Sequence, residues 1–329
     1  MKEVAFNALQ QTENNFRTYK KQFFNKKRKS KIGRPKFKNK YGNQSFRLAY
    51  NKINTSYFNI DKIHLSKIGR VRINLHRELP SDAKILNCTV SKTKTNKYYV
   101  SILVETEMQS LPKTNSTVGI DLGLKTFATL SNSEYVENPR FLRENQSKLS
   151  RYQRILSKKK IGSNRYNKHK RKLARLHEKV VNQRNNFLHN LTIDLVKNYD
   201  LISVEDLSTE SMLKNKRLAY SISDVSWSKF LSMLEYKCNY YDKTFVKIDR
   251  YFPSSKTCNN CGLIKEDLRL SDRIYECESC DISIDRDLNA ALNIEAVGVS
   301  TAKQSSADTI EDCIRTEETV SIESVEENV

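Results

Sequence analysis

The sequence predicts a mixed α+β chain: an α/β sheet domain with an inserted four-cysteine metal ribbon, preceded by a partial antiparallel β-barrel. Three observations predict it. Two apolar runs end in acids, Val118-Gly119-Ile120-Asp121 and Leu201-Ile202-Ser203-Val204-Glu205. Two Cys-x-x-Cys pairs, Cys258/Cys261 and Cys277/Cys280, stand fifteen residues apart just before a third acid, Asp287, which opens a helix-forming run. Between about Ser45 and Glu107 the pattern is one of short alternating strands.

From the front, Phe16, Tyr19, Phe23 and Phe24 recur at helix-like steps, followed by Asn25-Lys26-Lys27-Arg28-Lys29-Ser30-Lys31 and Gly33-Arg34-Pro35-Lys36. The glycine and proline mark a turn there, and the lysines make it a candidate phosphate strap, with a disordered basic linker as the alternative. Strands are expected at Val71–Leu75, Ile85–Val90 and Tyr98–Val104, the last two joined by a turn at Asn96-Lys97. Closure into a small barrel is the natural solution for such strands. Leucine spacing from Leu142 to Leu195 predicts two long helices broken at Ile161-Gly162-Ser163-Asn164, with Arg184 interrupting the apolar stripe. A third helix is expected from about Ser226 to Asp242, with Trp227 in the core, and then a strand at Phe245–Ile248. The expected divisions are 1–110, 111–252, 253–284 for the ribbon, 285–300 for a last helix, and 301–329 for a disordered acidic tail.

Net charge narrows the function. The chain carries +20, and because the segment from Thr301 onward has two basic and eight acidic residues, residues 1 to 300 carry +26. A field of that size attracts polyanions, so nucleic acid is the expected partner and a membrane surface is not. No apolar run approaches a membrane span, and no leader precedes the first strand, which gives a cytoplasmic, nucleoid-associated location as the expectation.

The cysteine spacing is that of a closed tetrahedral Zn²⁺ site, in which Cys258, Cys261, Cys277 and Cys280 would hold a structural ion with no open position. The acids suggest different chemistry. Asp121, Glu205 and Asp287 each have an ordinary structural explanation taken singly, since an acid often follows a strand or favours a helix start. Together, in the order strand-Asp, strand-Glu, helix-Asp, they form the arrangement of an RNase H-like nuclease. Three convergent carboxylates can hold two Mg²⁺ ions about 3.5–4 Å apart to cut a phosphodiester. Of the two aspartates flanking Arg286, Asp285 is placed to cap the helix.

Gly119-Ile120-Asp121-Leu122-Gly123-Leu124-Lys125, Val204-Glu205-Asp206-Leu207, Ser254-Ser255-Lys256-Thr257-Cys258, the paired cysteines and Asp285-Arg286-Asp287-Leu288-Asn289-Ala290-Ala291 resemble the TnpB (OrfB) family of IS200/IS605-type insertion sequences. The resemblance covers nearly the whole chain apart from its tail. It implies a RuvC-like domain with catalytic, Mg²⁺-binding acids at Asp121, Glu205 and Asp287, an inserted zinc ribbon and a wedge-type barrel. It also implies a guide RNA transcribed from the transposon's end, a DNA target, and kinship with type V CRISPR nucleases. The match begins part-way into the family pattern, which implies a shortened front, and Asp281 stands where the family has glycine after the fourth cysteine. The expected function is therefore RNA-guided DNA cleavage, the alternative being nucleic-acid binding without guided cutting.

Overall fold

The computed structural model describes residues 6–25, 33–34, 44–49, 58–59, 61–65, 68–76, 78–80, 83–107, 110–215, 218–269 and 271–304. The chain forms two compact units, Met1–Glu107 with Lys160–Arg175, and Met108–Lys159 with Leu176–Val329. Most of the basic segment after Asn25 and the acidic segment after 304 lie outside the described residues, so the expected strap and disordered tail do too.

In the first unit, helix α1 (Phe6–Phe24) precedes six strands: β1 (Gln44–Ala49), β2 (Phe58–Asn59), β3 (Lys62–Leu65), β4 (Gly69–Arg72), β5 (Lys84–Lys92) and β6 (Tyr98–Glu105). They form two antiparallel three-stranded sheets, β1-β5-β6 and β2-β3-β4. Alternation decides which face is buried. Leu48, Cys88 and Val90 from the first sheet and Ile63 and Leu65 from the second make one apolar cluster, with Val100 and Ile102 packed against it. The Asn96 turn joins β5 to β6 with a positive φ of 65°, a conformation asparagine tolerates. Two expectations change here. The ladder at Val71 ends at Arg72, with 73–75 outside it, and no pairing among the described residues joins the two sheets into a closed barrel.

The second unit is built on a five-stranded sheet. It contains β7 (Thr117–Leu122), β8 (Thr126–Leu130), β9 (Tyr135–Glu137), β10 (Leu201–Glu205) and β11 (Thr244–Ile248), in the order β11-β10-β7-β8-β9. Strands β7, β10 and β11 are parallel, while β8 and β9 run antiparallel as hairpins from β7. Val118 and Ile120, and Ile202 and Val204, are fully buried, as central parallel strands with both faces covered require. Helices α2 (Phe141–Ser157) and α3 (Asn164–Asn198) lead from β9 to β10; α4 (Thr209–Leu213), α5 (Ala219–Val225) and α6 (Trp227–Tyr240) lead from β10 to β11. The core gathers Phe127, Leu188, Val196, Trp227, Phe230 and Leu234, so Trp227 is core as expected. Phe127 meets Phe187 and Phe230 edge-on at 5.1 and 5.3 Å.

Arg184, which breaks the apolar stripe of α3, has a specific partner. Its guanidinium donates to buried Asp224 at 3.0 Å, and that carboxylate also accepts the N–H groups of Leu142 and Arg143 at 3.0 and 3.2 Å. Asp224 thus caps α2 from another helix while Arg184 neutralises it.

After β11 come β12 (Ile274–Glu276) and β13 (Ser283–Asp285), an antiparallel pair, and a last helix, α7, over 286–304. The helix runs four residues past its expected end at 300.

Candidate functional site

Parallel pairing places the first two acids together. Ile120 of β7 is opposite Val204 of β10, so Asp121 and Glu205 follow at neighbouring strand ends. Side chains alternate along a strand, which puts Asp121 on the face of Gly119 and Glu205 on the face of Ser203. Helix α7 covers this face. A Cβ on Gly119 would lie 2.1 Å from the carbonyl oxygen of Ala291 and 2.4 Å from the Glu295 nitrogen, and one on Gly298 would strike Ser203. Two glycines, one on the strand and one on the helix, let backbone approach sheet closely enough to bring the helix's first turn beside the strand ends. Asp287 stands in that turn. Asp285 caps it, accepting the N–H groups of Asp287 and Leu288 at 3.0 and 3.1 Å.

All three acids are half-buried. Burial, then the charges of Glu205 and Asp287, push the Asp121 carboxyl up to about 7, against opposing contributions from Arg286 and the Leu122 N–H. Burial also raises Glu205, opposed by a hydrogen bond from Ser254. The Arg286 and Arg273 guanidinium groups lie 3.7 and 4.0 Å from the Asp287 carboxylate. Asp121 and Glu205 therefore end neighbouring strands, Asp287 opens the helix that covers them, and the charges of Glu205 and Asp287 disfavour ionisation of Asp121. Among the described residues the four cysteines bring their ligand atoms within 4.8 Å of one another, and the three acids do not form such a cluster. Asp206, a nearby candidate by sequence, is engaged by Arg250 instead.

The cysteines build two matching turns. In the first, the N–H of Gly262 donates to the Cys258 carbonyl at 2.9 Å and that of Cys258 to Leu263 at 2.8 Å; in the second, Asp281 donates to Cys277 and Cys277 to Ile282, both at 3.0 Å. Gly262 has φ +78° and Asp281 φ +54°, so aspartate takes the left-handed conformation that glycine takes in the other turn. The Cys258–Cys280 and Cys261–Cys277 sulfurs lie 3.6 and 3.5 Å apart. A disulfide is about 2.0 Å, whereas tetrahedral bonds of about 2.3 Å to an ion place sulfurs about 3.8 Å apart. The set fits a metal ion such as Zn²⁺. The ribbon also has a small core of its own: Tyr275 is fully buried against Leu268, Ile282 and Ile284, and its hydroxyl lies 3.2 Å from both the Lys256 and Leu263 carbonyls, which share its one proton.

Two residues near the acids have roles that the sequence did not assign, although Ser254 opens one of the motifs quoted above. Ser254 donates its hydroxyl to Glu205. Tyr135 stands in one row with Thr129 and Asp121 across β9, β8 and β7, and its phenol is raised by burial and by Asp285 and Asp287. The regular spacing of motifs gives no signal for either role.

Residues 100–216 match the family described as "Probable transposase" (OrfB_IS605), and residues 227–294 match the Cas12f1-like TNB domain. A Streptomyces pristinaespiralis protein named "Putative RNA-guided DNA endonuclease" is 36% identical over 301 residues, covering 91% of this chain and 73% of its own. The Escherichia coli K12 "Putative RNA-guided DNA endonuclease InsQ" is 31% identical over 314 residues, covering 91% and 76%. Among solved structures, a Cas12f1 complex with guide RNA and target DNA has a TM-score of 0.48 at 14% identity, covering 78% of this chain and 60% of that one. Among the described residues no helix is long and apolar enough to cross a membrane. With sequence identity sustained over nine-tenths of its length, the chain belongs to the TnpB (OrfB) family of IS200/IS605-type insertion sequences, RuvC-like RNA-guided nucleases related to Cas12f.

Proposed function

We propose that this protein is an RNA-guided DNA endonuclease in which Asp121, Glu205 and Asp287 bind catalytic Mg²⁺ and the four cysteines bind structural Zn²⁺. The observation that supports the reading is the placement of Asp121 and Glu205 at neighbouring strand ends under α7, the helix that carries Asp287, with Asp121 raised to about 7 by burial and by those two acids. Such a pocket disfavours its own full ionisation and gains most from divalent charge. When bound, Mg²⁺ supplies the positive charge that activates water and stabilises the leaving oxygen in phosphodiester hydrolysis. The chain's own residues orient that chemistry. Asp121 and Glu205 offer carboxylate oxygens from adjacent rigid strands, Asp287 from the capped helix, and Arg286 limits the repulsion among them. The ribbon, once folded by its metal, fixes the loop that leads into α7. The same reading divides the chain near 110, 252, 284 and 300, with guide RNA and target DNA as partners held by the basic surface.

Sequencing of RNA that co-purifies with the protein, expressed with the DNA flanking its gene, tests the guided part of this reading. Enrichment of one discrete flanking transcript is expected. Scattered RNA at background would favour a nucleic-acid-binding protein without guided cutting.

A further inference from the structure

Ser254 lies in the loop between β11 and the first cysteine pair and is 6% exposed. A serine in such a turn ordinarily bonds its own local backbone, as Thr257 does here by donating to the Pro253 carbonyl at 2.9 Å. Ser254 does not: its hydroxyl donates across 49 residues of sequence to Oε1 of Glu205. A hydroxyl has a single proton, and giving it to Oε1 leaves Oε2 and the remaining lone pairs of the carboxylate for a cation.

The loop that presents this hydroxyl is held from the other side by α7. Asn293 donates to the carbonyls of Ser254 and Thr257 at 2.8 and 2.6 Å, and Asn289 donates to Thr257 at 2.7 Å while accepting the Asn259 N–H at 3.1 Å. Both asparagines are buried. The Ser254 N–H is itself engaged by Phe252 at 2.8 Å. The helix that carries Asp287 therefore grips the loop at the serine and just after it, and the serine hydroxyl engages Glu205. Hydrogen bonds from Glu205 through Ser254 to Asn293 thus tie the strand that carries one acid to the helix that carries another.

We propose that Ser254 is a positioning residue: it holds the Glu205 carboxylate in the orientation that lets it share a divalent cation with Asp121 and Asp287, using α7 as its support. The inference rests on the reading of those three acids as cation ligands. Hydrogen-bond partners that orient a metal ligand typically change metal affinity or activity about 10- to 100-fold when removed.

The test is Mn²⁺ binding to the full chain, followed by electron paramagnetic resonance, with zinc content measured on every sample. The variants are Ser254→Ala, Ser254→Thr, Glu205→Gln and the double variant Ser254→Ala/Glu205→Gln. Ser254→Ala should keep its zinc and bind Mn²⁺ about tenfold more weakly, while Ser254→Thr, which retains the hydroxyl, should bind as the parent does. In the Glu205→Gln background, Ser254→Ala should cause no further loss, because its route to the cation is already cut. Parental Mn²⁺ affinity in zinc-loaded Ser254→Ala would overturn the proposal, as would a loss in the double variant that adds in full to that of Glu205→Gln. Loss of zinc from Ser254→Ala would assign the serine to the ribbon's fold and also overturn it. If Glu205→Gln alone bound Mn²⁺ like the parent, the reading of the acids would fail instead.

Discussion

Gly119 lies directly beneath Ala291, and a single methyl added there would sit 2.1 Å from the Ala291 carbonyl oxygen. The obstructing atoms are backbone, which cannot swing aside as a side-chain tip would. Gly119→Ala should therefore displace α7 from the sheet and carry Asp287 away from Asp121. We expect a stability loss of about 1–3 kcal/mol, the usual cost of overpacking, by urea denaturation. Cleavage should fall further than that loss explains, because the variant remains folded with its acids apart. Wild-type cleavage in Gly119→Ala would show that close approach of the helix is not what assembles the site.

The raised carboxyl of Asp121 predicts a pH signature in the metal-free protein. Its folded value of about 7 exceeds the ordinary 3.8, so the folded chain holds this proton more tightly than the unfolded chain. Stability from this group is then complete below about pH 4 and is lost as pH rises towards about 7. The melting temperature in chelator should decline across that window relative to Asp121→Asn, whose side chain does not titrate. Divalent ions should restore it most above pH 7, where the site is ionised. Identical pH profiles for parent and Asp121→Asn would contradict the raised value.

Removing one sulfur should undo the ribbon. Cys261→Ser or Cys280→Ser is expected to lose bound zinc, measured by elemental analysis, and to open the small core around Tyr275 to proteolysis between β11 and α7. The β7–β11 sheet has its own large core and should persist, as far-ultraviolet circular dichroism would show. Retention of full zinc content by either variant would defeat the four-cysteine assignment.

Asp224 gives a test remote from the chemistry. Asp224→Ala uncaps α2 and leaves Arg184, which is 17% exposed at its side chain, without its carboxylate. Breaking a buried pair by removing one partner costs about 3–5 kcal/mol. The double variant Asp224→Ala/Arg184→Met should recover part of that loss, and chemical denaturation of the three proteins measures it. A loss below about 1 kcal/mol in Asp224→Ala would mean the pair is idle, as exposed pairs often are.

What the sequence revealed was whatever is encoded locally. The runs ending at Asp121 and Glu205 read as strands because they are short and largely apolar, and the cysteine pairs declare their chemistry by spacing alone. Trp227 and the helix around it followed from periodicity. Contacts between distant segments were not legible. Arg184 looked like an interruption because its partner lies 40 residues away, and Ser254 appeared only as the start of a motif because Glu205 lies 49 residues before it. Barrel closure was expected from the alternation of short strands, and pairing among the described residues gives two three-stranded sheets around Ile63 and Cys88. Tyr275 gives the ribbon a small core from a position that pattern alone could not distinguish from surface.

The most direct test of the account is Mg²⁺-dependent cleavage of target DNA by the protein co-expressed with its flanking transcript, measured for the parent and for Asp121→Ala, Glu205→Ala and Asp287→Ala. The account predicts cutting by the parent that chelator abolishes, no cutting above that background by any of the three variants, and undiminished RNA binding by all of them. Near-parental cleavage by any one variant would remove that acid from the mechanism and contradict the three-carboxylate site.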